Sequence, residues 1–294
     1  MTEKEIALSG LTGQVIALDL GAADGVPMVA LHGWRDNAAS FIPLAQRLEK
    51  FRWICIDMPG HGKSAHRPAG CIYHFTDYVA DIHAIVRGLA QEFDQEFNPG
   101  ECNLVGHSLG AGVAAMFAAA FPDKVNRLVL IDGIGPIAGD DDDGLTQFRK
   151  SMKFLDQAPP DNVGNSYGYA TWEELKSARM RTGAIDQSSV ECLLRRGANW
   201  VGDRFVVHSD KRLKQHSPIY LSQKKVLALL SGIEAPTLLV MANKGQIIAK
   251  KSTAKRIAAI KNITTATVEG YHHVHMDNPE LVALEIENFV AREI

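Results

Sequence analysis

The residues of this chain best placed to do chemistry gather around Ser108. Gly106-His107-Ser108-Leu109-Gly110 fits G-x-S-x-G, and it lies between an apolar run, Cys102–Gly106, and an alanine-rich run, Gly110–Phe121. That context predicts a strand, a sharp turn and a helix, with the serine hydroxyl lifted above the sheet. Glycine is needed on both sides because a Cβ there would meet the neighbouring strand or helix. The turn is strained and has to be held by its surroundings. Behind it, the helix N-terminus favours negative charge. A serine so placed is suited to attack a carbonyl carbon, given a base for its proton and fixed N–H donors for the oxyanion. The donors expected are the backbone N–H groups of Leu109 and of Trp34, the latter in Leu31-His32-Gly33-Trp34 after an earlier strand. For the base, three histidines compete within Gly270–Pro279: His272, His273 and His275. His32 and His107 are read as hydrogen-bonding residues that fix their loops.

Positioning such a site takes a sheet. Strand signals occur at Glu5–Leu8, Gln14–Leu20, Pro27–His32, Phe51–Asp57, Cys102–Gly106 and Asn126–Asp132. Helical periodicity occupies Ala38–Lys50, Phe75–Phe97 and Gly110–Phe121 between them. Alternation at this spacing implies an α/β fold with a mostly parallel sheet covered on both faces. The rhythm breaks from about Gly135 to Gly232, where helical stretches, Pro159-Pro160 and the acidic run Asp140–Asp143 replace strand runs. It resumes with strands at Ala235–Met241 and Thr264–Glu269, a helix near Ala249–Ile260 and another from Pro279. The expected organisation is a core of residues 1–134 and 233–294, with 135–232 inserted as a mainly helical lid. A long insertion of this kind is more often functional than idle. Trp172, Trp200, Tyr167 and Tyr169 are candidates for an apolar pocket. Arg195 and Arg196 are read as part of a solvated helix face rather than as an anionic-substrate contact.

The bulk numbers set limits. With 294 residues and 46% hydrophobic content, the chain can bury a sizeable core. Its 31 basic and 34 acidic residues give a formal charge of −3, without the basic excess that nucleic acid or an anionic membrane would attract. No apolar run approaches the ~18 residues of a membrane span. The N-terminus lacks a charged-then-apolar leader pattern. None of the four cysteines forms a C-x-x-C pair, so zinc and dithiol chemistry are unsupported. A reducing cytoplasm is the expected setting.

His32-Gly-Trp-Arg-Asp-Asn-Ala-Ala-Ser-Phe41, Asp57-Met-Pro-Gly-His-Gly-Lys-Ser64 and Gly106–Gly110 closely resemble the corresponding motifs of α/β hydrolases. Trp34-x-Asp-Asn-Ala-x-Ser-Phe41, His66-Arg-Pro68 and His272-x-Val-His-Met276 look more narrowly like the serine hydrolase-like subfamily. So do Arg196-Gly197 and Asp210-Lys-Arg-Leu213. The resemblance spans about residues 27–290. It implies the α/β-hydrolase fold, ester-type hydrolysis of a small molecule, no cofactor, no metal and a lid-covered pocket. In that family the base commonly precedes an acidic residue by five positions and a proline by seven. Asp277 and Pro279 stand at those offsets from His272, which is therefore the expected base. The acid usually follows the strand after the lid, where this chain has Gly245. The superfamily's alternative place, at the end of the strand before the lid, is filled by Asp132; Asn243 is a weaker candidate. The same machinery would also serve carbon–carbon bond hydrolysis or acyl transfer, and a ligand-binding protein of low turnover is the rival from another class. Ser108 argues against dehalogenase or epoxide hydrolase chemistry, which needs a carboxylate nucleophile.

Overall fold

A computed structural model describes residues 2–92, 102–139, 143–157 and 168–291. Among the described residues, eight strands form the main sheet: β1 (Thr2–Ser9), β2 (Gln14–Gly21), β3 (Val26–Leu31), β4 (Phe51–Ile56), β5 (Asn103–His107), β6 (Arg127–Ile131), β11 (Thr237–Ala242) and β12 (Ile263–Val268). Their order is β1-β2-β4-β3-β5-β6-β11-β12. The β1–β2 and β2–β4 pairs are antiparallel and the others parallel. This is the α/β-hydrolase fold.

Alternation along the strands splits the core into two layers. Val29, Leu31, Leu104, Leu128 and Leu130 face one layer, with α2 (Phe75–Glu92) and α3 (Leu109–Ala120). Met28, Ala30, Val105, Val129 and Ile131 face the other, with Phe41, Trp53 and α10 (Pro279–Val290). The central strands are therefore apolar on both sides, as a covered parallel sheet requires.

Ala38–Lys50 departs from the single helix that its periodicity predicts. It forms a 3-10 turn, Ala38–Phe41, and a one-turn helix, α1 (Ile42–Ala45). Tight i→i+3 turns then lead into β4: Arg47 N–H to Leu44 O, Leu48 N–H to Ala45 O and Phe51 N–H to Leu48 O, at 3.0–3.1 Å.

Between β6 and β11 the chain leaves the main sheet. It forms α4 (Gly144–Gln157), α5 (Trp172–Met180), α6 (Gln187–Gly197) and α7 (Gln223–Leu230). Among the described residues, it also contains four short strands beside these helices. The short β7 (Ala138–Gly139) and β10 (Leu221–Ser222) pair in parallel, and β8 (Ala198–Val201) and β9 (Arg204–Val207) make a hairpin. Gly202 supplies the left-handed turn of that hairpin at φ 64°. Tyr169 pairs with Phe205 beside it, and Trp172 and Trp200 pack on Phe205 at ring distances of 5.3 and 4.7 Å. Tyr167, Pro159, Pro160 and Asp140–Asp142 lie outside the described residues, as does the expected end of α2 beyond residue 92. Helices α8 (Lys251–Ala259) and α9 (Val274–Asp277) complete the set. Among the described residues, no helix is long and apolar enough to cross a membrane.

Candidate active site

Ser108 stands between β5 and α3 as the helix N-cap residue, in a backbone conformation, φ 51° and ψ −110°, that an L-residue adopts only under strain. Neighbouring groups hold it there. Its N–H donates to Ile131 O at 3.0 Å, and its carbonyl accepts from Gly112 N–H at 3.2 Å. A Cβ on Gly106 would lie 2.5 Å from Ala111 N, and one on Gly110 would lie 2.5 Å from the Leu31 carbonyl carbon. The two glycines thus let α3 press against β5 and β3.

The end of β3 lies beside the start of α3. Gly110 N–H donates to His32 O at 3.1 Å, leaving Leu109 one residue earlier at the first turn of the helix. Trp34 sits in the loop after β3, where Asp36 N–H closes a turn on Gly33 O at 3.1 Å and Arg35 takes φ 62°. His32 is wholly buried. Its Nδ1–H donates to Gly33 O at 2.7 Å and its Nε2 accepts from Met58 N–H at 3.0 Å. Both ring nitrogens are occupied and burial lowers its pKa, so it fixes this loop as a neutral ring.

Of the three competing histidines, His272 meets Ser108. Its Nε2 lies 2.9 Å from Ser108 Oγ, and its Nδ1–H donates to Asp132 Oδ2 at 2.5 Å. Asp132 is at the end of β6, buried, with φ 40°. Its N–H donates to Val240 O at 2.8 Å. Its carboxylate also accepts from Gln246 N–H at 2.8 Å and from Ala242 N–H at 3.4 Å. Asn243 does not meet His272; its Oδ1 accepts from Gly270 N–H at 3.0 Å and fixes the start of the loop that carries His272. A Cβ on Gly245 would fall 2.6 Å from both Cγ and Oδ2 of Asp132. The usual place of the acid is thus a glycine because the Asp132 carboxylate fills the space beside it.

The other two histidines point elsewhere. His275 is buried against Phe41 at a ring distance of 5.3 Å, and burial, with His273 nearby, lowers its pKa to about 3. His273 Nε2–H donates to Asp36 Oδ2 at 3.2 Å. His107 Nε2–H donates to the backbone carbonyl of His272 at 2.8 Å. Burial, and then the surrounding histidines, hold His107 well below the ordinary histidine pKa. Asp277, the offset marker for His272, accepts from Ser189 Oγ–H at 2.6 Å and from Asp186 N–H at 3.2 Å. Among the described residues, no group of three or more His, Cys, Asp or Glu is arranged to hold a metal ion.

Two features were not read from the sequence. Arg196, expected on a solvated face, is buried: its Nε and Nη2 donate to Asp57 Oδ2 at 3.0 and 2.7 Å, and its Nη1 to Glu5 at 2.6 Å. The ion pair crosses 139 residues, so no local pattern could reveal it. Asp36, within the Trp34–Phe41 motif, accepts from Arg179 of α5 as well as from His273. Arg195 is exposed and pairs with Glu191. A cavity of about 350 Å³ opens between α4 and Pro218–Tyr220 of the inserted segment; its lining includes none of Ser108, His272 and Asp132.

The sequence profile of the α/β hydrolase fold family matches residues 26–279. The chain is 34% identical to a serine hydrolase-like protein of Danio rerio, over 95% of this chain and 85% of that one. It is 32% identical to a probable serine hydrolase of Drosophila melanogaster, over 98% and 87%. A hypothetical protein of Pseudomonas aeruginosa PAO1, also 32% identical, has a crystal structure of TM-score 0.87 to this one, covering 98% of this chain and 100% of that one. On a match of this extent, the chain belongs to the α/β-hydrolase superfamily and to its serine hydrolase-like subfamily, and is a hydrolase of that group.

Proposed function

We propose that the protein is a serine carboxylesterase acting on a small-molecule ester through Ser108, His272 and Asp132. The observation that carries this reading is the hydrogen-bond chain from Ser108 Oγ through His272 to Asp132, at 2.9 and 2.5 Å. Ser108 Oγ attacks the ester carbonyl carbon as its proton passes to His272 Nε2. The carbonyl oxygen becomes an oxyanion held by the N–H groups of Trp34 and Leu109. Asp132 keeps His272 in the tautomer with Nδ1 protonated and balances the imidazolium as it forms. Collapse of the tetrahedral intermediate breaks the bond to the leaving oxygen, which takes the proton from Nε2. Water, deprotonated by the same nitrogen, then attacks the acyl-enzyme and releases the carboxylic acid and Ser108. The cycle uses no cofactor. Residues 135–232 act as the cap over a core formed by 1–134 and 233–294.

A fluorophosphonate probe tests the nucleophile. Wild-type protein should label at Ser108 and hydrolyse p-nitrophenyl esters. Ser108→Ala should not label, and its turnover should fall by ~10⁴-fold or more with unchanged circular dichroism. Near wild-type turnover in that variant would reject Ser108. A series of esters of increasing acyl length then defines the substrate.

A further inference from the structure

Three side chains of the oxyanion loop reach out of the core and bond to three separate pieces of the cap. Trp34 Nε1–H donates to Leu213 O at 2.9 Å, and Asn37 Nδ2–H donates to Leu193 O, in α6, at 2.9 Å. Between them, Asp36 Oδ1 accepts from Arg179 Nη2–H, in α5, at 2.7 Å. The loop needs such tethers, because its turn places Arg35, a non-glycine residue, at φ 62°. Asp36 carries the tether furthest. Its carboxylate is buried and its other oxygen accepts from His273, the residue after the base. Gly33 packs directly on this cluster: a Cβ there would stand 2.8 Å from Asp36 Oδ2 and 2.9 Å from His107 Nδ1. One carboxylate therefore joins the loop that carries the Trp34 N–H, the loop that carries His272 and a cap helix.

We propose that Arg179 and Asp36 are positioning residues, a latch through which the docked cap sets the oxyanion loop and the base loop in their reactive geometry. Neither touches the reacting atoms. On this view the cap is part of the catalytic framework as well as a cover, and Arg179 is its point of purchase. The charge balance agrees. Burial alone would raise the Asp36 pKa, but His273 and then Arg179 outweigh it and hold the carboxyl well below its usual value. Without the guanidinium, the buried carboxylate would keep only the His273 ring N–H as a side-chain partner, and its hold on the loop would loosen. An oxyanion donor acts in the transition state and not in the ground state, so a loosened loop should lower kcat and leave KM nearly unchanged.

This inference rests on the esterase reading above, and the test separates the two. Arg179→Gln removes the charge at similar size, Arg179→Lys keeps a cation, and Asp36→Asn keeps the shape of the acceptor. Arg195→Gln removes an exposed charge from the neighbouring helix as a control. For Arg179→Gln, kcat on a p-nitrophenyl ester should fall about 10- to 100-fold, less than loss of a whole oxyanion donor costs. KM should stay within about threefold, and Arg179→Lys should recover most of the loss. The Asp36→Asn/Arg179→Gln double variant should be no worse than the more damaged single variant, since both break one contact. A kcat within twofold of wild type, an effect confined to KM, or additive losses would overturn the latch. Amide hydrogen exchange supplies a readout independent of turnover. Peptides covering residues 33–38 and 270–277 should exchange faster in Arg179→Gln than in Arg195→Gln or wild type. If wild-type protein neither labels nor hydrolyses esters, the esterase reading fails, and exchange alone decides the latch: equal protection in the three proteins refutes it.

Discussion

Gly245→Ala places a single methyl group against the proposed triad acid. Its Cβ would lie 2.6 Å from Asp132 Cγ and Oδ2, whereas ordinary contact begins at 3.4 Å. The carboxylate must therefore retreat, or the loop must, by roughly 1 Å, and misplacement of that size can cost about 10²-fold in rate. Retreat is resisted by the Gln246 and Ala242 N–H groups and by His272, all of which would have to move with it. Gly245 is not among the left-handed glycines, so the alanine brings no φ strain of its own. The expected outcome is a kcat about 100-fold lower on a p-nitrophenyl ester, with a smaller change in Tm. The ceiling is the ~10³–10⁴-fold loss expected when the charge itself is removed. On an Asp132→Ala background the same substitution should cost little more, because the group it displaces is gone. A Gly245→Ala protein whose kcat stays within threefold of wild type would refute the assignment of Asp132 as the acid, or the account of why glycine stands there.

The other expectations are direct. Asp132→Asn should lose roughly 10³–10⁴ in turnover and Asn243→Ala much less, measured at a pH where the base is neutral; the reverse order would make the arrangement Ser-His-Asn. His272→Ala should be inactive while His275→Leu keeps most of its turnover, because His275 packs in the core with its pKa lowered to about 3 by burial. Below the usual histidine value of 6.5, the unfolded chain binds a proton that folded His275 rejects. Stability is therefore full above pH 6.5 and falls as pH drops toward 3, and His275→Leu should flatten the Tm–pH curve over that window. Arg196→Met leaves the buried Asp57 carboxylate without its guanidinium partner and should cost about 3–5 kcal/mol in urea unfolding; a change under 1 kcal/mol would show that the pair is dispensable.

How much of this was legible in the sequence depended on how local the determinants are. The elbow was legible because Gly106, Ser108 and Gly110 are set by contacts within one strand–turn–helix unit and with β3. Strands β3 to β6 were legible because double-sided burial writes a continuous apolar run. The β8–β9 hairpin was missed: Trp200, Val201, Phe205, Val206 and Val207 are strand-formers, but each strand is only four residues long. The split of Ala38–Lys50 was missed because 3-10 and α-helical turns bury nearly the same positions. Arg196 was misread because a buried guanidinium on a helix has the same sequence pattern as an exposed one. Only its acceptor, Asp57, 139 residues away, distinguishes them.

The position of the proposed acid suits a motif that shifts along the chain while the site stays in place. Strands β6 and β11 are neighbours, so the ends of both open on the same point above the sheet. Asp132 brings its carboxylate from the end of β6 to His272 Nδ1, and the glycine at position 245, in the turn after β11, leaves room for it. Strand β11 and the turn after it still take part, through backbone groups: Ala242 and Gln246 N–H both point at Asp132, and Val240 O holds the Asp132 N–H. The proposed chemistry needs a negative charge at His272 Nδ1, and Asp132 at the end of β6 is placed to supply it. The glycine where an aspartate is expected is then the counterpart of Asp132, and the two positions should be read together.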